Sequence, residues 1–311
     1  MQLDSRIYIA GHTGLVGSAI VRRLQAGGFT RLITREYEEL DLTDAQATAG
    51  FFSEVRPEYV FLAAAKVGGI HANDTFPADF IRINLQIETN VIDAAHRYGA
   101  TKLLFLGSSC IYPKHAPQPM REEHLLTGPL EPTNDAYAIA KIAGILMCQS
   151  YNRQHGTNFI AAMPTNLYGP GDNFDLETSH VLPAMVRKFH EARLSGQAVT
   201  LWGTGRPRRE FLFVDDLADG LLYLMHHFDA APGEVFCNVG VGRDVSVAEL
   251  AAQVAAVVGF DGEILWNSDM PDGTPRKLLD VGKLSRLGWR ASTALEDGIR
   301  QTYAWFLANR A

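Results

Sequence analysis

The 311 residues are 47% hydrophobic, enough for one large core or for a principal domain with a smaller one packed on it, so a globally disordered chain is excluded. A formal net charge of −7 gives none of the basic surface that nucleic acid or an anionic membrane would require, and any phosphate-bearing ligand must meet local positive charge. Cys110, Cys148 and Cys237 show no metal-ligand spacing and argue against a disulfide framework; with no apolar signal core at Met1–Arg6 and no uncharged apolar run of about 18–20 residues, a cytoplasmic chain without a membrane span is expected.

Ile7–Ala10 reads as the first strand, and Gly17–Ala26 as a helix with Ala19, Ile20 and Leu24 on its apolar face, ended by Gly27-Gly28. Further strands are expected at Leu32–Thr34, Tyr59–Ala63, Lys102–Leu106 and Asn158–Met163, separated by helical stretches at about 43–55, 78–98 and 136–155. This alternation implies an α/β fold with a doubly wound parallel sheet of the Rossmann type, occupying residues 1–165. The stretch 111–135 carries Pro113, Pro117, Pro119, Pro129 and Pro132 and is too long for an ordinary connection. It is either disordered or a functional loop, and its place between two catalytic candidates favours the loop. Beyond Pro164 the chain breaks into shorter elements, such as Val199–Trp202 and Phe211–Val214, before helical patterns resume at about 215–227, 246–259 and 295–310. Residues 166–311 are expected to form mainly a smaller C-terminal substrate domain, with some segments returning to the first.

Gly11-His12-Thr13-Gly14-Leu15-Val16-Gly17 directly follows the first strand and opens the first helix. Glycines there allow a sharp turn, close approach of a pyrophosphate to main-chain N–H groups and tight helix–strand packing, while the helix N-terminus favours the anion. The alternative is a glycine turn with no ligand. The spacing differs from G-x-G-x-x-G and resembles that of the extended short-chain dehydrogenase/reductase family. The resemblance implies that Thr34–Tyr37 read the adenosine ribose, where Arg35 either meets a 2′-phosphate and selects NADP(H) or is a solvated surface arginine. Asp41-Leu42 resemble the family's adenine-contacting turn, although Thr43 could equally be a plain helix cap.

Tyr137 and Lys141 stand four residues apart, on one face of a helix. A phenol is a poor acid–base catalyst near neutrality until a nearby cation brings its pKa toward the working range. Ser108 ends the strand at Lys102–Leu106, where it could hydrogen-bond a substrate carbonyl. In the family resembled, serine, tyrosine and lysine form the reductive triad in this order.

The resemblance sharpens at Ala63-Ala64-Ala65-Lys66-Val67-Gly68-Gly69-Ile70, Gly107–Pro113, Glu131-Pro132-Thr133-Asn134, Tyr137–Gly144, Pro164–Pro170, Ser179-His180-Val181, Arg209-Glu210-Phe211 and Pro271–Lys277. These are similar to the GDP-L-fucose synthases over nearly the whole chain. The likeness implies a substrate, GDP-4-dehydro-6-deoxy-D-mannose, epimerised at carbons 3 and 5 and reduced at carbon 4. It implies that Cys110 and His180 are the epimerisation base and acid; taken alone, Cys110 would read as a small buried residue and His180 as a cap or core histidine. It adds Leu106, Gly107, Ser109, Lys141, Pro164, Thr165, Asn166, Leu167 and His180 to the cofactor site, and sets Lys188, Trp202, Arg209, Asp272 and Arg276 around GDP and sugar. Each arginine could instead be a surface salt-bridge partner. Members of the family often carry arginines at the places of Thr13 and Tyr37, so Arg35 is expected to act alone and the preference for NADPH over NADH to be modest. The family also implies a homodimer through the helices near 78–98 and 136–155, with Ala140, Ala143 and Gly144 either at that interface or packed on the protein's own sheet. A 4-epimerase or 4,6-dehydratase would keep the triad but has no use for Cys110, and a non-catalytic dinucleotide sensor would not need the triad at all.

Overall fold

The computed structural model describes residues 1–270 and 272–310, excepting the side chains of Ile70 and His71, so Pro271 and the Ile70 side chain of the quoted motifs lie outside the described residues. The first half builds β1 (Ile7–Ala10), α1 (Leu15–Ala26), β2 (Leu32–Ile33), α2 (Ala45–Val55), β3 (Tyr59–Leu62), α3 (Ile70–Thr75), α4 (Pro77–Arg97), β4 (Lys102–Leu106), α5 (Asp135–His155) and β5 (Phe159–Pro164). The strands are almost wholly buried and apolar, as parallel strands covered on both faces must be. Helix α2 is capped by Asp44, whose carboxylate accepts from the Gln46 and Ala47 N–H groups; Thr43 is not the cap, because its hydroxyl is turned to Asp41. The proline-rich stretch is folded: the Met120 N–H donates to the Leu278 carbonyl, the Met120 carbonyl accepts from the Asp280 N–H, and the Tyr112 hydroxyl donates to Asn238.

The second half adds β6 (Asn166–Tyr168), α6 (Val181–Ser195), β7 (Val199–Trp202), β8 (Arg208–Arg209), β9 (Phe211–Phe213), α7 (Val214–His227) and β10 (Phe236–Val239). It ends with β11 (Val245–Ser246), α8 (Val247–Val258), β12 (Ile264–Asn267), β13 (Arg276–Lys277), α9 (Gly282–Leu287) and α10 (Leu295–Asn309). The fifteen-residue helix α6 and the strand β10 were not anticipated from sequence. Strand β10 pairs in parallel with β5 and completes a six-stranded sheet of order β10-β5-β4-β3-β1-β2. A separate apolar core joins α6, α8 and α10 around Phe189, Leu250 and Phe306, whereas α7 and α9 pack on the large sheet.

Two buried charges tie these layers. Lys102, at the start of β4, donates to the Met225 and Phe228 carbonyls at the C-terminal end of α7 and pairs with Asp229 at 2.8 Å, a cation where the helix dipole is negative. Glu210 has no solvent exposure; its carboxylate accepts N–H groups of Val241 and Gly242 at 2.6 Å and of Leu279 at 2.9 Å. Burial raises its pKa, and the three donors pull it back. Replacing Glu210 by alanine orphans three buried N–H groups, each worth about 1–3 kcal/mol, so Glu210→Ala should lower the unfolding free energy in urea by roughly 3–5 kcal/mol. A loss below about 1 kcal/mol would show that the three segments hold without it.

Candidate active site

The glycine turn lies where the strand order reverses, between β1 and β3, the crevice at which open α/β sheets bind ligands. Gly11 has φ +81°, and a Cβ on it would stand 2.8 Å from the Ala64 backbone just past β3. A Cβ on Gly17 would fall 2.0 Å from the Gly11 carbonyl oxygen, so α1 can seat against β1 only without one. Gly14 is different. It is the extended N-cap of α1, and the nearest atom to its would-be Cβ is 3.5 Å away, which leaves the approach to the helix end open. No acidic residue occupies the first turn, so the positive helix end is uncancelled. Thr13 is exposed, Leu15 and Val16 half-buried, and His12 meets Glu36 through Nε2 at 3.2 Å while its buried Nδ1 has no partner among the described residues. These features fit a pyrophosphate.

At the adenosine end Arg35 is exposed, donates to the Thr34 carbonyl and lies 5.3 Å over the Phe51 ring, with no carboxylate bridged to it among the described residues. Asp41 accepts from the Thr43 N–H and hydroxyl and from Tyr37, which holds its carboxyl below the usual range. The Leu42 side chain is core and its carbonyl accepts from Asn90, so only its main-chain N–H remains for an adenine.

Past β4, a Cβ on Gly107 would collide with Met163, so the strand end stays narrow. Ser108 is the N-cap of a short 3₁₀ turn, Ser109–Ile111; its Oγ accepts the Cys110 N–H at 3.3 Å, and its side chain bonds Tyr137. Burial raises the Tyr137 pKa, the negative charges of Cys110 and Glu88 raise it further, and the Ser108 bond opposes them. Lys141 lies 4.6 Å over the Phe105 ring and 5.9 Å from the Tyr137 ring centroid. The structure thus brings Ser108, Cys110, Tyr137 and Lys141 together.

Two neighbours escaped the sequence reading. The Lys141 ammonium donates to Glu88 Oε1 at 3.0 Å, with both side chains at most 2% exposed; burial raises the Glu88 pKa and Lys141 restrains it. The clue was a carboxylate set in the buried stripe of α4 among Asn84, Ile87, Val91 and Ile92. Asn134, inside a quoted motif but given no role, donates to Cys110 Sγ at 3.4 Å, and its buried Oδ1 has no partner among the described residues.

His180 is the N-cap of α6, and its side chain makes no capping bond. The residue is open to solvent, yet the cleft around it is dense enough that desolvation lowers its pKa. The Thr178 and Ser179 carbonyls just before it pack on Gly69, the N-cap of α3, and α3 packs on the Pro132–Asn134 turn that holds Cys110. Pro164 closes β5 beside Val239, Leu167 is half-buried, and the Thr165 hydroxyl and Asn166 amide both donate to the Glu210 carbonyl, placing this run at the carboxyl end of the sheet.

Among the outer residues, Lys188 donates to the Thr200 carbonyl and is lowered in pKa by burial, while Trp202 is 61% exposed at the end of β7. Arg209 is bonded to the Arg208 carbonyl; burial lowers its pKa and Asp272 counteracts this. Asp272 in turn accepts from the Thr204 N–H and hydroxyl. Arg276 is committed to an ion pair with Asp244, which also takes Arg208, so the surface-pair alternative describes part of its role; it nevertheless lines one narrow cavity with Cys110, Lys114, Gln118 and Glu131.

Residues 7–240 match the model of the NAD dependent epimerase/dehydratase family. GDP-L-fucose synthase 1 of Arabidopsis thaliana is 58% identical, covering 98% of this chain and 94% of that protein, and GDP-L-fucose synthase of Escherichia coli (strain K12) is 53% identical, covering 98% and 97%. A solved GDP-L-fucose synthetase of Naegleria fowleri bound to NADP is 29% identical, with a TM-score of 0.91 over 99% of this chain and 96% of that one. By the family match, the near-complete coverage and the shared fold, this chain belongs to the GDP-L-fucose synthases of the NAD dependent epimerase/dehydratase family.

Proposed function

We propose that the chain takes GDP-4-dehydro-6-deoxy-D-mannose, inverts carbons 3 and 5, and reduces the carbon-4 ketone with NADPH to give GDP-L-fucose. The observation that carries this reading is a thiol, Cys110, built into the same turn as Ser108 and beside Tyr137. A plain ketone reductase needs no base beside the triad. Protons at carbons 3 and 5 are acidic only while the neighbouring ketone can take up charge as an enolate, so both inversions precede reduction. Cys110 removes the proton as thiolate, supported by the Asn134 N–H, and His180 returns one from the other face. Ser108 holds the developing oxyanion, and Tyr137 gives its proton to the carbon-4 oxygen only in the later reduction. Bound NADPH supplies the hydride. The glycine turn binds its pyrophosphate, with Arg35 toward the 2′-phosphate and Lys141 and the Pro164–Leu167 run lining the rest. Lys188, Trp202, Arg209, Asp272 and Arg276 surround the GDP-sugar, so residues 166–311 are mainly the substrate domain and 1–165 the cofactor domain.

The three cysteines are free, which suits a reducing cytoplasm. The homodimer forms through α4 and α5, away from Ala140 and Gly144. A Cβ on Gly144 would strike the Phe105 ring, and Ala140 is fully buried, so both pack on the protein's own sheet. The outward stripe of α5 instead offers Ile139 and Leu146, one heptad apart and more than 40% exposed.

The two half-reactions should separate by mutation. Incubated with the keto sugar in deuterium oxide, Cys110→Ser should lose label exchange at carbons 3 and 5, whereas Tyr137→Phe should keep exchange and lose NADPH oxidation; equal loss of both activities in the two variants defeats the assignment. Arg35→Ala should erase a modest NADPH preference, read as the ratio of kcat/KM with NADPH and NADH, and an unchanged ratio removes Arg35 from the 2′-phosphate. Light scattering at micromolar concentration should give twice the monomer mass, falling to the monomer in Ile139→Glu/Leu146→Glu; a monomeric wild type rules the dimer out.

A further inference from the structure

Helix α4 buries Phe80, Asn84, Ile87, Glu88, Val91 and Ile92 against its neighbours, and Glu88 alone in that stripe is ionisable. Its Oε1 lies 3.0 Å from the Lys141 ammonium, and its buried Oε2 has no partner among the described residues. An ion pair so placed is a weak source of stability, because desolvation offsets most of the attraction. Its effect is felt next door. Among the described residues, the charged or titratable groups around the Tyr137 phenol are Cys110 from the turn after β4, Glu88 from α4 and Lys141 from the same helix; Ser108 adds a hydrogen bond, and Phe80, edge-on to the ring, adds no charge.

A bare buried ammonium at the place of Lys141 would favour the phenolate, the form that accepts a proton when an alcohol is oxidised. Paired with a carboxylate, the ammonium presents a dipole in place of a net charge, and the phenol keeps its proton. Reduction of a ketone needs that form, since Tyr137 must start as the donor. We propose that Glu88 is a positioning residue for the reductive half-reaction, neutralising Lys141 so that Tyr137 remains protonated and ready to deliver its proton to the carbon-4 oxygen. The inference rests on the role given to Tyr137 above, and it sets the direction in which this triad works best.

The test is the pH profile of NADPH oxidation with the keto sugar, followed by single turnover, together with label exchange at carbons 3 and 5. Glu88→Gln keeps shape and a hydrogen-bond acceptor while removing the charge. Its alkaline limb should fall about one pH unit or more below that of the wild type, a roughly tenfold loss of hydride transfer on that limb, with exchange held within about threefold. Glu88→Asp keeps the charge but draws it back from Lys141, so its limb should lie between the two. A folded Glu88→Gln with an unmoved limb overturns the proposal, as does an aspartate variant whose limb stands at or above the wild type; the second readout decides the matter even where glutamine prevents folding. A wild type that oxidises no NADPH with this sugar would instead defeat the underlying reading.

Discussion

A carboxylate sealed from water holds three distant stretches of this chain in register. Glu210 accepts from the loop after β10 and from Leu279, while its own carbonyl receives Thr165 and Asn166 at the end of β5. Such a residue cannot be replaced by a neutral one of similar size without leaving donors unmatched, since all three are main-chain N–H groups that have no alternative partner at hand. Its neighbour Gly240 is small for the same reason, as a Cβ there would stand 2.4 Å from Glu210 Oε1. The floor of the cofactor crevice and the base of the outer layer therefore share one anchor, directly next to Arg209.

The electrostatics follow from placing a doubly charged ligand in an acidic protein. Arg35 and Arg209 bridge no carboxylate among the described residues, whereas Lys141 is paired with Glu88. Three of the six buried polar atoms without partners among the described residues lie at or beside the candidate site. His12 Nδ1 belongs to the glycine turn, Asn134 Oδ1 to the residue on Cys110, and Ser179 Oγ to the residue before His180. A folded protein leaves few such atoms bare, and each calls for a partner such as water, an ion or a ligand.

Much of this was legible in the sequence, because parallel strands buried on both faces read as short apolar runs and their covering helices as periodic ones. The edges of β1, β4, α4 and α5 fell within a residue or so of expectation for that reason. What escaped depended on contacts distant in the chain. Strand β10 looks like any short apolar run until β5 lies beside it, and α6 opens without a side-chain cap in a stretch crowded with glycine and proline. The site divided similarly. Glycine spacing and the Tyr137–Lys141 interval are local patterns, whereas the partnership of Glu88 with Lys141 spans 53 residues and the contact of Asn134 with Cys110 spans 24. A lone charge on an apolar stripe was the only trace of the former.

Strands β5 and β10 lie side by side, although the whole of β6, α6, β7, β8, β9 and α7 intervenes between them. Topologically, α6 and β7–β9 form a segment paid out by one strand of a rigid sheet and taken back by its neighbour, with α7 returning over the sheet. Its entry and exit are pinned at opposite ends of two paired parallel strands that lie about 4.8 Å apart across the sheet, so its interior can change in length or composition without altering the register of the sheet beneath. Change in that segment leaves the crevice between β1 and β3 as it is, so one sheet can carry different outer elements on an unaltered glycine turn.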